Sequence, residues 1–309
     1  MKKSTSSKKL LKKRININFK SVKLWTVLLL IGGLGMLGAA GYVWYEKIFT
    51  NEERIFYGML AKSLETDSIS RTVTQESTGR QERQTFFLNF TPTPLVETSS
   101  FVKQVDKNRQ DSIVETNTIG TRESDFVRYT NITLAPGSTD TNDYSKVVNT
   151  WAKRDGSAEN SQGAQFLNEA IFTFIPFGNF PQAQREELLK IIKEKEVYKL
   201  TNDAKISYEN GRPYYTNLIQ IKPRGLVEVL KKYNELTGIG DPTVLDPQQY
   251  EDVHSFGMKI KVDLLSRHLV EINYPGETRS EIYDAYGLNR PVEIPTETIS
   301  IEELQSRLQ

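Results

Sequence analysis

Between Leu24 and Tyr45 the chain runs 22 residues without a charge, LWTVLLLIGGLGMLGAAGYVWY. As a helix rising 1.5 Å per residue this stretch reaches about 33 Å, enough to cross a bilayer core of about 30 Å. Its flanks differ. Residues 1–23 hold nine lysines and arginines and no acid, whereas Trp25 lies at one end of the stretch and Tyr42, Trp44 and Tyr45 at the other. Cations stay on the cytoplasmic side and amphipathic rings sit at the headgroup boundary. The pattern predicts a single-pass membrane protein: 1–23 a basic cytoplasmic tail, 24–45 a transmembrane helix, 46–309 an extracytoplasmic domain.

A cleaved leader is the competing reading, because Gly38-Ala39-Ala40 offers small residues for cleavage. Gly32, Gly35, Gly38 and Gly41 recur at a spacing of three, which either favours close helix pairing in lipid or reflects the abundance of glycine in spans. The tail has two readings as well, a topological signal or a patch for anionic lipid or nucleic acid.

Charge separates the two sides further. Removing the nine tail cations leaves 31 basic against 39 acidic residues, about −8 for residues 24–309. An acidic outer domain argues against nucleic acid as its partner, since phosphate binding needs clustered cations. The chain has no cysteine, which excludes disulfides, thiolate metal sites and a lipid-modified N-terminal cysteine.

Residues 50–65 predict a helix, with Thr50 and Glu53 as a capping box and Ile55, Phe56, Met59, Leu60 and Leu64 on one face. From Ser68 to Leu134 the texture turns to short Thr-, Val-, Ile- and Phe-rich strands with polar turns, an antiparallel meander. Tyr144, Val147, Val148 and Trp151 are spaced for a short helix over 142–154. Pro181 opens a charged helix. AKISYE, Asn210-Gly211 and RPYYTNLIQIK form a hairpin with a I′ turn, and Pro223 to Gly238 bounds another helix. Strands follow at HSFGMKIKVDLL, RHLVEINYP, ETRSEIYDAYG and PVEI, and Ser300 with Glu303 caps a last helix. The fold class predicted is α+β.

Chemistry leaves little trace. His254 and His268 have no companion ligands, so no metal or other cofactor is expected. Ser100-Phe-Val-Lys103 matches S-x-x-K but lies in a predicted strand, where the lysine is not one helical turn from the serine. No enzyme is expected. One segment stands out for its rings: Phe166, Phe172, Phe174, Phe177 and Phe180, with Ile171 and Ile175 between them. Burying a Phe is worth roughly 2–3 kcal/mol. These seven residues either pack a helix against the sheet or, interrupted by Pro176 and Gly178, form a lid over an apolar cavity.

The C-terminal stretch carries four phrases: Val262-Asp263, Leu269-Val270-Glu271-Ile272, Tyr283-Asp284-Ala285-Tyr286-Gly287 and Pro291-Val292-Glu293-Ile294-Pro295. In this order they resemble the ending of LolA/LppX-like half-barrel proteins of the bacterial envelope. The resemblance implies a curved antiparallel β-sheet (half-barrel) with helices packed on its concave face, and lipid or acyl chains held between. It carries over no binding residue, because the phrases are structural. A protein span and the lack of an anchoring cysteine depart from the family, whose members are usually soluble carriers or lipid-anchored. A tethered domain does not ferry cargo between membranes, so local handoff, presentation or sensing suits it better. The expectation is a binding protein at the outer face of a bacterial cytoplasmic membrane; the alternative is an envelope sensing, regulatory or scaffold protein docking a protein partner through its sheet. A cavity of several hundred Å³ under the helices favours the first.

Overall fold

The structure, a computed structural model, describes residues 33–42, 49–105, 111–136, 138, 142–155, 165–240 and 242–307. The chain divides into two compact units, Met1–Asn51 and Glu52–Gln309. The basic tail and most of the expected span lie outside the described residues; 33–42 are helical and exposed. Among the described residues no helix is long and apolar enough to cross a membrane.

The second unit begins with α1 (Glu52–Ser63), where Glu52 and Glu53 open the helix and Lys62 closes it, as the helix dipole favours. Its stripe of Ile55, Phe56, Met59 and Leu60 is buried. Five long strands follow as a meander: β1 (Ser68–Ser77), β2 (Arg80–Asn89), β3 (Leu95–Val105), β4 (Asp111–Gly120) and β5 (Ser124–Thr133). Then come β6 (Ala152–Asp155), α2 (Gln165–Ile171), α3 (Gln182–Glu194) and β7 (Tyr198–Leu200). β8 (Lys205–Glu209) and β9 (Arg212–Ile221) form the hairpin, and Asn210 and Gly211 take φ of 51° and 78° in its turn. α4 (Pro223–Thr237) starts on its proline and stops at Gly238, whose φ is 63°. The remainder is β10 (Phe256–Asp263), β11 (Leu269–Asn273), β12 (Arg279–Asp284), β13 (Ile299–Ser300) and α5 (Ile301–Arg307). Ser300 Oγ accepts from the Glu303 amide at 3.1 Å, the N-cap that the sequence predicts.

One sheet holds all the strands, in the order β13-β6-β5-β4-β3-β2-β1-β12-β11-β10-β9-β7, with β8 beside β9. β12 lies antiparallel to β1, with Ser70 opposite Asp284, so the C-terminal meander joins the N-terminal one in mid-sheet. Among the described strands, β13 and β6 are the pair that runs parallel. The path does not close, and the result is the curved open α+β sheet of a half-barrel.

The two halves are packed differently. Along β9–β12 Tyr215, Ile219, Ile260, Val262 and Ile272 are buried, and Glu52 at the start of α1 accepts from Tyr215 Oη at 3.5 Å. Along β1–β5 burial runs lengthwise instead: one end is buried at Ile69, Leu88, Val96, Ile119 and Phe126, and the strands become half-buried and then exposed away from it. A small second core joins Val147, Ala152 and Leu304, with Tyr129, Ile132 and Ile299 packed around it.

Two elements differ from the sequence expectation. Residues 142–154 are not a helix: a 3-10 turn covers Tyr144–Lys146, Asn149 takes a φ of 62°, and Ala152–Asp155 becomes β6. The apolar spacing is real, but β5 offers a free row of backbone partners, and Val147, Val148 and Thr150 are stiff residues that favour extended chain. Nor is Pro291–Ile294 a strand. Pro291 and Pro295 remove donors that a ladder needs, and pairing resumes only at Ile299.

Candidate ligand-binding trough

Strand alternation places every second side chain of β1–β5 on one face, and the antiparallel registers align them in rows across the sheet. One row is Arg71, Phe86, Thr98, Thr118 and Val127; the next is Val73, Gln84, Ser100 and Thr116. Together with Gln75, Glu82 and Arg279, and with Phe166 and Glu169 of α2, these rows bound a cavity of about 450 Å³. Its lining is mixed. Val73, Phe86, Val127 and Phe166 are apolar, and hydroxyls, amides and charges separate them. The lining departs from an apolar cavity because β1–β4 supply Thr, Ser and Gln at the inward positions.

α2 forms one wall, and a buried carboxylate holds it there. Asp125, only 2% exposed, accepts from the amides of Gln165 at 3.1 Å and Phe166 at 3.4 Å, and from Arg154 at 3.1 Å. Burial pushes the Asp125 carboxyl up, and Arg154 and the two amides offset this only in part. Gly120 lets the helix approach: a Cβ there would stand 2.7 Å from the Leu167 nitrogen and 2.9 Å from the Phe166 Cβ.

The floor beside β12 is ionic. Glu281, 2% exposed, accepts from Tyr274 Oη at 2.8 Å and Arg279 Nη2 at 2.7 Å on one oxygen, and from Tyr283 Oη at 2.6 Å on the other. Burial opposes its charge, but the Arg71 cation and these donors outweigh burial and hold the carboxyl below the usual range. Burial and then the Glu281 charge push the Tyr283 hydroxyl well above its ordinary value. Arg71 itself is 6% exposed, with its guanidinium 4.4 Å from the centre of the Phe86 ring.

The seven residues of the aromatic segment divide between trough and core. Phe166 lines the trough. Ile171 and Ile175 are buried in the core. Phe172 packs its ring edge on Gly240, and Phe174 meets Phe256 and Tyr274 with ring centres 5.0 and 5.9 Å apart. Phe177 stacks on Tyr283 at 5.2 Å, and Phe180 stands edge-on to Tyr233 at 5.1 Å beside a smaller cavity of about 190 Å³. His268 stacks on Tyr286 at 4.0 Å, while His254 is exposed. Among the described residues no three His, Asp or Glu side chains are grouped to hold a metal ion. Ser100 and Lys103 both lie on strand β3.

Arg71, Asp125 and Glu281 were not singled out by sequence reasoning. The available signal was weak: charged residues at inward positions of SISRTVTQES, SDFVRYTNIT and RSEIYD, where a solvated face reads the same.

The sheet and its trough define the class of this domain, an open, curved, mostly antiparallel half-barrel of α+β type. Known structures similar to it include LprF from Mycobacterium bovis, at 12% identity and a TM-score of 0.38, covering 80% of this chain and 96% of that one. A second is the Mycobacterium tuberculosis lipoprotein LppX, at 11% identity and a TM-score of 0.35, covering 79% of this chain and all of the other. No family model matches the sequence, and no curated protein matches it.

Proposed function

We propose that residues 46–309 form the extracytoplasmic domain of a protein held by one span, 24–45, in a bacterial cytoplasmic membrane, and that the trough binds a lipid or similar amphiphile. The observation that carries this reading is the cavity of about 450 Å³ between the β1–β5 face and α2. Ligand sites of about 300–1,000 Å³ are typical for small molecules, whereas a sheet used only to dock a protein has no need of one. The apolar part of the ligand rests on Val73, Phe86, Val127 and Phe166. Of the seven aromatic-segment residues, Phe166 is the contact, and the other six pack elsewhere in the domain.

The mixed lining supports an amphiphile over a hydrocarbon. Polar groups spread through the trough would lose hydration against a purely apolar guest. Tethering favours presentation or handoff close to the membrane.

The neutral fluorophore N-phenyl-1-naphthylamine tests the trough. The full chain in phosphatidylcholine nanodiscs is expected to enhance its fluorescence above empty discs, and Ser100→Trp, which fills the trough, to abolish the increment. Equal enhancement in the variant, or none in the wild type, refutes the reading.

A further inference from the structure

Most charges along the trough have partners. Arg279 is bonded to Glu281, and both Glu281 oxygens are taken by hydroxyl and guanidinium donors. Glu82 receives Arg80 at 3.0 Å and the Gln84 amide at 2.7 Å, and Glu169 receives the Gln165 amide at 2.7 Å. Arg71 is different. It is 6% exposed, its Nε is buried without a partner, and among the described residues its guanidinium makes no hydrogen bond and no ion pair. Its contacts are the Phe86 ring beneath it and the field of Glu281.

A guanidinium carries five donors in a planar fork, and removing it from water without acceptors is costly. Phe86 holds the plane but takes none of the donors. The group that completes such a site is a carboxylate or phosphate, which meets the fork with two parallel hydrogen bonds. Position adds to this. Arg71 begins the row that continues through Phe86, Thr98 and Thr118 to Val127. Four strand spacings separate its ends, about 19 Å, and Phe166 covers part of the trough. A cation therefore stands at one end of a path whose far end is apolar.

We propose that Arg71 binds the oxyanion head, carboxylate or phosphate, of an amphiphile whose chain crosses β2–β5 toward Val127 and Phe166. This rests on the trough being a ligand site and names the ligand class. Glu281 keeps Arg279 and two tyrosines engaged, which leaves Arg71 as the donor available to the ligand. A cationic amphiphile is excluded by the same charge.

The chain has no cysteine, so Thr116→Cys puts a single thiol in the trough. Its alkylation by N-ethylmaleimide is followed in the full chain in phosphatidylcholine nanodiscs, with dodecyl phosphate, dodecyl dimethylamine oxide or inorganic phosphate as protectant. Dodecyl phosphate is expected to half-protect at a concentration about tenfold or more below the amine oxide. Arg71→Gln removes that preference while amine oxide protection persists, and Arg71→Lys keeps part of it, since an ammonium keeps the charge but lacks the planar fork that meets an oxyanion with two parallel bonds. A preference that survives Arg71→Gln overturns the assignment, as does protection by inorganic phosphate equal to that by dodecyl phosphate, which means a free oxyanion site. Equal protection by both amphiphiles in all backgrounds sinks the Arg71 assignment and leaves the amphiphile trough standing; no protection by either sinks both. If Arg71→Gln loses amine oxide protection as well, Arg71→Lys decides: an undiminished preference there overturns the proposal, and a reduced one supports it.

Discussion

Replacing Asp125 with alanine removes one carboxylate that serves three donors, two amides at the start of α2 and the Arg154 guanidinium. Loss of an N-cap costs about 1 kcal/mol. The Arg154 side chain is 34% exposed, so water takes over part of its bonding and the pair is discounted to about 1 kcal/mol. The sum, about 2 kcal/mol, corresponds to a melting point about 4–8 °C lower in a unit of this size. Asp125→Asn keeps one acceptor oxygen, enough for the Gln165 amide and Arg154, and gives up the longer bond from Phe166 together with a charge that burial already disfavours, so its loss is smaller. The sign with pH follows. The folded value of this carboxyl is raised, so its contribution is most favourable below the ordinary carboxylate range and is lost as pH rises through the folded value. Calorimetry of the full chain gives the melting shift, and hydrogen exchange of residues 166–171 reports the helix. Unchanged melting of the alanine variant, or α2 amides as protected as before, refutes the clamp.

Gly120→Val drives a side chain into the Leu167 backbone, and overpacking of this kind costs about 1–3 kcal/mol; urea unfolding checks it, with weaker binding of N-phenyl-1-naphthylamine as the companion effect. Glu281→Gln leaves Arg279 without its ion pair and the buried Arg71 without the neighbouring negative charge; with the Arg279 side chain 36% exposed, the loss is about 2 kcal/mol at neutral pH. Because the folded value of Glu281 is lowered, that stabilisation is complete above the ordinary carboxylate range and disappears as pH falls through the folded value. The gap in urea midpoint between wild type and variant should therefore narrow in acid. For topology, Leu288→Cys, at a position 58% exposed, is expected to react with a membrane-impermeant maleimide on intact spheroplasts, and Ser4→Cys only after lysis. The reverse pattern inverts the orientation.

Elements whose signals are local were legible in the chain. Asn210-Gly211 forces its turn through two positive φ angles, Pro223 and Gly238 bound α4 from its ends, and Thr-, Val-, Ile- and Phe-rich runs separated by polar turns mark β1–β5. Elements decided by distant partners were not. The Tyr144–Trp151 spacing suits a helix until β5 presents an edge for Ala152–Asp155 to join. The aromatic segment concealed its division for the same reason: Phe177 and Phe174 are claimed by Tyr283 and Phe256, more than 80 residues further on. Arg71 reads as an ordinary solvated strand charge in SISRTVTQES. Only the pairing of β1 with β12 brings Glu281 to its side and makes it a buried cation.

Native mass spectrometry of the full chain extracted from its membrane bears most directly on the trough as a binding site. Wild type should carry the added mass of one amphiphile that Ser100→Trp lacks, with annular lipid equal in the two. Equal occupancy in both, or bare protein in both, contradicts the account.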